Sequence, residues 1–321
     1  MMRYLVVIIF FISIVVNAVG EKFFNQVIIV NIILAIKSVD LLIDNINQAN
    51  STRIRMQFGN LVSSWKKVET TYFLGDLNED YLDTPRYIDI FHGNNEEIKP
   101  QLDLIINSND ELFNAMYKYS HKTINALEYV LFTKDLSHQR VKNMALIIAK
   151  SIKSYLSEIL DGYKMYQSKF LENEQYASAI LLNTLIAGTY KLKEWRVGDV
   201  AGLSKKFKNK PNNYRAEYAT SGNSVNAIKA ILETQAQIIN SPDYQDLGDI
   251  SRQFKARKEI DQAISALNDS IANANNMSEF DFINDKGKRL YQSTNRLMKA
   301  YYISLMDKLG FVSKVLDADG D

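Results

Sequence analysis

The chain has 321 residues, with 38 Lys and Arg against 37 Asp and Glu, three His, four Pro and no Cys. The chain has only 13 Gly. Because Gly and Pro form most turns, their scarcity argues against an all-β fold, which needs frequent turns. The near-zero net charge lacks the basic excess expected of a nucleic-acid-binding protein. Without Cys the chain has no disulfides, thiolate metal sites, Cys nucleophile or lipid-modified N-terminal Cys.

The first twenty residues have the layout of a secretory signal peptide. Arg3 supplies a positive start, residues 4–16 form an uncharged apolar run, and small side chains precede Ala18. We expect cleavage after Ala18, with Gly20 as the alternative position, and no stable membrane span afterwards. An uncleaved anchor is the competing interpretation, although a run of 13 residues is shorter than the roughly 20 needed to span a bilayer. Export predicts a periplasmic or secreted protein.

The remaining chain shows helical periodicity and no strand-like alternation. Apolar residues recur every three or four positions, and this predicts an all-α protein of two helical bundles, residues 19–172 and 173–321, with a cleft between them. Ser51 is the predicted N-cap of the second helix and Gly75 its C-cap. Residues 76–100, with Pro85 and Pro100, are predicted to be irregular, and 198–221 to form a polar loop. The predicted helices are 26–49, 51–75, 109–132, 137–172, 174–194, 223–240, 247–275 and 278–309.

Several strings of this sequence occur in the same order in the imelysin family, and together they extend over most of the chain. The strings are SSWKKVETTYFLGDL (63–77), LDTPRYIDIFHGNNEE (82–97), TINALEYVLF (123–132), LKEWRVGDVAGL (192–203), RAEYATSGNSVNAI (215–228) and DADGD (317–321). The chain therefore resembles a full-length imelysin-like protein. The resemblance implies two helical bundles, a cell-envelope location, association with iron-uptake components, and a metallopeptidase site between the bundles. Iron or zinc is the metal that it implies.

The implied metal site centres on a GxHxxE motif, from which this chain departs. Thr123 stands at the Gly position and Asn125 at the His position, while Glu128 is retained. An Asn amide is a much weaker ligand for iron or zinc than an imidazole. His121 does not replace the missing ligand, because seven helical residues separate it by about 10 Å from Glu128 along the axis.

Further candidate site residues follow from the residue types and the resemblance. Glu128 lies in an apolar sequence and, if buried, needs a partner such as an Arg. The resemblance places the segment that contains Arg196 near the site, so Arg196 is the partner that it implies. The resemblance adds Glu217, Ser221 and Ser224 to the site, with helix capping as the alternative for the two serines.

For three further features a site role competes with a simpler interpretation. His92 follows Asp89 by three residues and is either a ligand beside it or a polar surface residue. Trp65 and Glu69 match a pair in the family, but we prefer the interpretation that Trp65 packs in the core and Glu69 pairs locally. The acidic residues 317–321 are expected to form a solvated tail.

We expect a non-catalytic binding protein with a ligand site between the bundles, linked to iron acquisition. A metal-dependent peptidase that uses Glu128, with His92 or Glu217 completing the coordination, is the second hypothesis. The third is the binding of an acidic or polysaccharide ligand anchored by Arg196.

Overall fold

The computed structural model describes residues 20–92 and 97–312. Within these residues the regular structure is helical and contains no strand, which confirms the all-α prediction. The predicted signal peptide and the acidic tail lie outside the described residues. The helices of ten or more residues are α1 (Glu21–Asn47), α2 (Ser51–Thr70), α3 (Ile98–Asn107), α4 (Ile124–Thr133), α5 (Gln139–Leu171), α6 (Glu174–Lys191), α7 (Ser224–Ile239), α8 (Arg257–Asn275) and α9 (Asp285–Lys299).

Helices α1, α2, α4 and α5 form a first group. Helix α1 packs along both α2 and α5, and α4 packs against α5. Apolar residues three or four apart put one face of each helix into a shared core. The largest side chains of that core are fully buried: Phe24, Phe58, Trp65, Phe73, Tyr163 and Phe170.

Helices α6, α7, α8 and α9 form a second group, in which α8 packs against α7 and α9. Helix α6 continues into a π-helical segment, Leu192–Gly198, and then into the short helix Asp199–Ala201. The wider turn of a π-helix shifts the side chains that follow it around the helix axis. This segment packs against α9. It carries Trp195 and Arg196, which belong to the string LKEWRVGDVAGL.

Helices α2 and α7 pack against each other and join the two groups. Gly59 permits the close approach, because a Cβ atom at this position would lie 2.8 Å from Oδ1 of Asn223, the residue before α7. The contact places the C-terminal half of α2 beside the second group.

Several predicted helix boundaries are wrong. The N-cap of α2 is Asn50, whose side chain accepts a backbone hydrogen bond, and not Ser51. The helix ends at Thr70, and Gly75 belongs to a separate short helix, Leu74–Leu77. Residues 98–107, where no helix is predicted, form α3.

Three predicted helices are interrupted. The helix expected at 278–309 begins only at Asp285, after a 3₁₀ turn at Asp281–Ile283. The helix expected at 109–132 is divided into Leu112–Ala115, a 3₁₀ turn at Tyr119–Lys122, and α4, because Thr123 caps α4 with its side chain. The helix expected at 247–275 breaks at Lys255, whose φ of 63° is left-handed.

The boundary between the predicted domains falls at a helix junction. Glu172 ends α5, and Asn173 caps α6 through a hydrogen bond to the N–H of Tyr176. A single cluster of buried apolar residues extends through both groups of helices. The division into two domains at residue 172 stays a prediction.

Helix α1 is long and apolar enough to cross a membrane, and in the described part of the chain it alone meets that test. It also packs against two neighbouring helices, with Phe24, Ile28 and Leu42 fully buried. We therefore describe α1 as a core helix of the first group.

Candidate functional site

The motif residues of α4 make contacts within the protein. The side-chain oxygen of Asn125 accepts a hydrogen bond from the backbone N–H of Ile90 (2.9 Å). Oε1 of Glu128 accepts one from the backbone N–H of Ser221 (2.8 Å). Asn125 and Glu128 thus each hold a different connecting segment against α4.

Glu128 has an environment that disfavours its charge. The residue is 8% exposed, and burial raises its pKa above the ordinary value, although the Ser221 hydrogen bond acts in the opposite direction. The predicted ion pair between Glu128 and Arg196 is wrong. Arg196 pairs instead with the carboxylates of Glu69 and Glu217.

Arg196 is held by two carboxylates. Its Nε donates to Oε2 of Glu217 (2.6 Å), and its Nη2 lies 3.0 Å from both carboxylate oxygens of Glu69. Arg196 is 5% exposed and Glu217 is 3% exposed. Charge-assisted hydrogen bonds to the carboxylates of two separate chain segments hold this buried guanidinium group in position.

Lys66 lies at the centre of the same cluster and is fully buried. Its Nζ lies 2.7 Å from Glu69, 2.8 Å from Asp89 and 2.6 Å from Glu217. We call Lys66, Arg196, Glu69, Asp89 and Glu217 the ionic cluster. Its members come from α2, from the segment before residue 92, from the π-helical segment after α6 and from the segment before α7.

Two neutral donors complete the surroundings of Asp89. Trp65 Nε1 donates to its Oδ2 (2.9 Å), and the hydroxyl of Tyr218 donates to the same oxygen (2.7 Å). Tyr218 has a left-handed φ of 59°, a conformation that costs energy in residues other than Gly. Its hydrogen bond to Asp89 and the paired neighbour Glu217 hold it there.

The ionic cluster sets the protonation of its members. Burial disfavours the charge of Lys66, but Asp89, Glu217 and Glu69 more than offset this and raise its pKa. Burial likewise disfavours the charge of Glu69, yet Arg196 and Lys66 lower its pKa to about 2. The pKa of Asp89 is lowered, mainly by Lys66 acting against burial.

Glu217 is the least acidic carboxylate of the cluster. Burial raises its pKa above the ordinary value, despite Arg196 and Lys66. Three carboxylates face only two cations, so their mutual repulsion also acts on Glu217 through Asp89 and Glu69.

His92 does not pair with Asp89, whose carboxylate is occupied by the ionic cluster. Its Nε2 lies 3.0 Å from Oδ2 of Asp199, the first residue of the short helix that follows the π-helical segment. The imidazole stacks on the ring of Trp195, with centroids 4.8 Å apart and planes 5° apart. The left-handed φ of His92, 58°, turns the ring toward these two partners.

The predicted serines act through backbone contacts. The backbone N–H of Ser221 donates to Glu128, and its hydroxyl donates to the carbonyl of Tyr218 (3.2 Å). Helix α7 begins at Ser224, but neither serine caps it. The carboxylate of Glu279 instead accepts from the N–H groups of Ser224 (2.9 Å) and Val225 (2.8 Å).

A cavity of about 770 Å³ opens above the ionic cluster. One wall is the end of α2 with residues 72–92, and the other is α6 with its π-helical segment. Glu69, Asp89 and Arg196 reach the cavity from the cluster, whereas Asn125, Glu128, Ser221 and Ser224 do not line it. The volume lies in the range of small-molecule sites.

Comparison with known proteins identifies the fold and the family. Residues 35–301 match the sequence model of the family described as imelysin. This chain belongs to the imelysin family. Its structure is similar to the crystal structure of an imelysin-like protein from Psychrobacter arcticum 273-4, with a TM-score of 0.74, 19% identity, and 91% of this chain and 95% of that chain covered. The comparison with curated proteins gives no significant match.

The metal that an imelysin motif implies does not fit the residues present. Across 20–92 and 97–312 there is no group of three or more His, Asp or Glu side chains placed to hold a metal ion. Asn125 and Glu128 are engaged with backbone N–H groups. His92 contacts Asp199, and Glu217 is held by the two cations of the ionic cluster, so neither completes a coordination shell with Glu128.

Sequence reasoning missed the centre of this imelysin site. Lys66 was not a candidate, although Phe58, Val62 and Lys66 are spaced by four and therefore share one helical face. An apolar stripe that contains a Lys signals either an exposed edge or a buried ion pair. In this protein the Lys belongs to a buried ion pair, because the carboxylates of Asp89 and Glu217 contact it. Both carboxylates are distant from Lys66 in the sequence.

Proposed function

We propose that this imelysin-family protein binds a small ligand in the cavity between α2 and α6 and does not cleave peptides. The observation that carries the proposal is a preformed cavity of about 770 Å³ with charged and aromatic groups converging on it. The cluster below it is rigidly paired, which favours a site organised before the ligand arrives.

The cellular role that we propose rests on the sequence. The N-terminal layout of residues 1–18 supports export to the periplasm, with cleavage after Ala18. The family resemblance supports a link to iron acquisition and to iron-uptake components of the envelope. In this role the protein supplies binding and release of a ligand, and the ionic cluster supplies the rigidity.

The peptidase alternative requires Glu128 as a metal ligand or general base. Its carboxylate is engaged by Ser221 and has a raised pKa, and Asn125 takes the place of an imidazole. A metal-dependent peptidase would lose both metal and turnover on the substitution Glu128→Ala. We expect no chelator-sensitive cleavage of peptide substrates by the unaltered protein.

The decisive experiment fills part of the cavity without disturbing the fold. Gly188 lies on the cavity wall, and a Cβ atom there would meet nothing within 4 Å. Gly188→Leu therefore places a side chain in the open space, and removing a mid-helix Gly gains up to about 1 kcal/mol of stability. Gln175→Leu, on the exposed surface of the same helix, is the matched control.

All three proteins are purified from their own cell envelope and examined by native mass spectrometry and elemental analysis. We expect a bound small molecule in the unaltered protein and in Gln175→Leu, and none in Gly188→Leu. Equal occupancy in all three proteins would place the ligand elsewhere. Empty protein in every preparation, or chelator-sensitive peptide cleavage, would refute the proposed function.

A further inference from the structure

Lys191, the last residue of α6, lines the cavity and makes no ion pair within the described part of the chain. Its ammonium group lies over the ring of Trp195, with Nζ 5.6 Å from the ring centroid. Burial lowers the pKa of Lys191, only partly opposed by the more distant Glu69. An ammonium group in this position is poorly compensated by the protein itself.

The other charged groups of the cavity already have partners. Arg196 is bound by Glu69 and Glu217. Arg86 pairs with Asp83 (3.2 Å) at the exposed rim. The remaining acidic groups are also engaged, Asp89 by the ionic cluster and Asp76 by a partner of its own.

The walls beside Lys191 are aromatic and fixed in place. Trp195 is stacked on His92. Tyr190 lies edge-on to Trp195, with ring centroids 6.4 Å apart. Further rings that face the cavity are Trp65, Tyr72, Phe73 and Phe91. Flat aromatic faces of this kind bind rings and other planar apolar groups.

We infer that the cavity takes a flat-ringed organic carboxylate, with its carboxylate on the ammonium of Lys191 and its ring against the aromatic wall. The inference rests on the proposed function and names its ligand class. One uncompensated cation matches a single negative charge, and the carboxylates of Glu69 and Asp89 nearby disfavour a multiply charged ligand. Gly188, one helical turn before Lys191, leaves room for the ring.

The test compares 2-naphthoate with its neutral isostere 2-naphthamide by isothermal titration calorimetry at pH 7. A charge-assisted hydrogen bond is stronger than a neutral one, so we expect 2-naphthoate to bind at least about tenfold more tightly. Lys191→Met should abolish that preference and leave the affinity for 2-naphthamide unchanged. Both compounds should fail to bind Gly188→Leu.

Lys193→Met is the matched control, because Lys193 lies two residues away, pairs with Glu194 (2.6 Å) and does not line the cavity. It should retain the full preference for 2-naphthoate. Equal affinity for the two compounds, no binding of either, or a preference that survives Lys191→Met would overturn the inference. None of these results alters the mass-spectrometric test of the proposed function, which detects any ligand.

Discussion

Lys66 shows how the ionic cluster constrains single residues. The ammonium group is fully buried and contacts three carboxylates within 2.8 Å. Burial of a charge is costly unless its partners are in place. Removing one member of a buried ion pair therefore destabilises the protein by much more than the whole pair contributes to the free energy of unfolding. The protein therefore depends on Lys66 as a charge and not only as a side chain that fills space.

Replacing Lys66 by Met tests this dependence. The substitution leaves Glu69, Asp89 and Glu217 facing Arg196 alone, and we expect the free energy of unfolding to fall by about 3–5 kcal/mol. Urea denaturation followed by circular dichroism measures the change.

Lys67→Met is the control, since Lys67 is less buried and lies on the next position of the same helix. Its effect should be about 1 kcal/mol or less, because Lys67 is not a member of the ionic cluster. Similar losses in both variants would show that the carboxylates do not need the buried ammonium.

Glu128 shows the limit of reasoning from a motif at the residue scale. The family resemblance singles out this segment, and Asn125 in place of the motif His weakens the metal interpretation. In the structure neither Asn125 nor Glu128 lines the cavity. The predicted partner Arg196 was wrong, because the backbone N–H of Ser221 satisfies the carboxylate instead. A backbone donor leaves no signature in residue identity.

At the scale of elements, the end of α6 positions the largest number of site groups. Lys191 is its last α-helical residue, and the π-helical segment that follows carries Trp195 and Arg196. The change of helix type lets consecutive turns face both the cavity and the ionic cluster. Side-chain periodicity along the sequence does not reveal this change, because it assumes a regular helix.

A carboxylate that is distant in the sequence caps the N-terminus of helix α7. Glu279 accepts hydrogen bonds from the N–H groups of Ser224 and Val225, which the α-helix itself leaves unpaired. Its negative charge also interacts favourably with the helix dipole.

Glu279→Ala should lower the free energy of unfolding by about 1 kcal/mol, a typical cost for the loss of an N-terminal cap. Thermal denaturation measures the loss. Glu233→Ala, at an exposed position further along α7, should change stability by much less. An equal effect of the two substitutions would contradict the capping role of Glu279.

On the scale of the whole molecule, the two groups of helices share their interior. A continuous cluster of buried apolar residues runs through both. Lys66 from the first group and Arg196 and Glu217 from the later part of the chain meet in the ionic cluster. These contacts couple the two predicted bundles more strongly than a cleft between independent domains requires.

We therefore expect the two groups to unfold together. Differential scanning calorimetry of the purified protein should show one transition whose calorimetric and van't Hoff enthalpies agree. The fluorescence of Trp65 and Trp195 and the circular dichroism signal should change at the same temperature. Two separated transitions would instead indicate independent domains on either side of residue 172.

The sequence by itself determined the helical class and the family, because both depend on local features: few turn-forming residues, apolar spacing of three or four, and contiguous strings such as LKEWRVGDVAGL. It also determined the loss of the motif His at Asn125. The tertiary structure decided the partners of Glu128, His92 and Arg196 and exposed the role of Lys66. A helix fixes the face on which a side chain lies, but the group opposite that face comes from residues far away in the chain. Only packing selects that group.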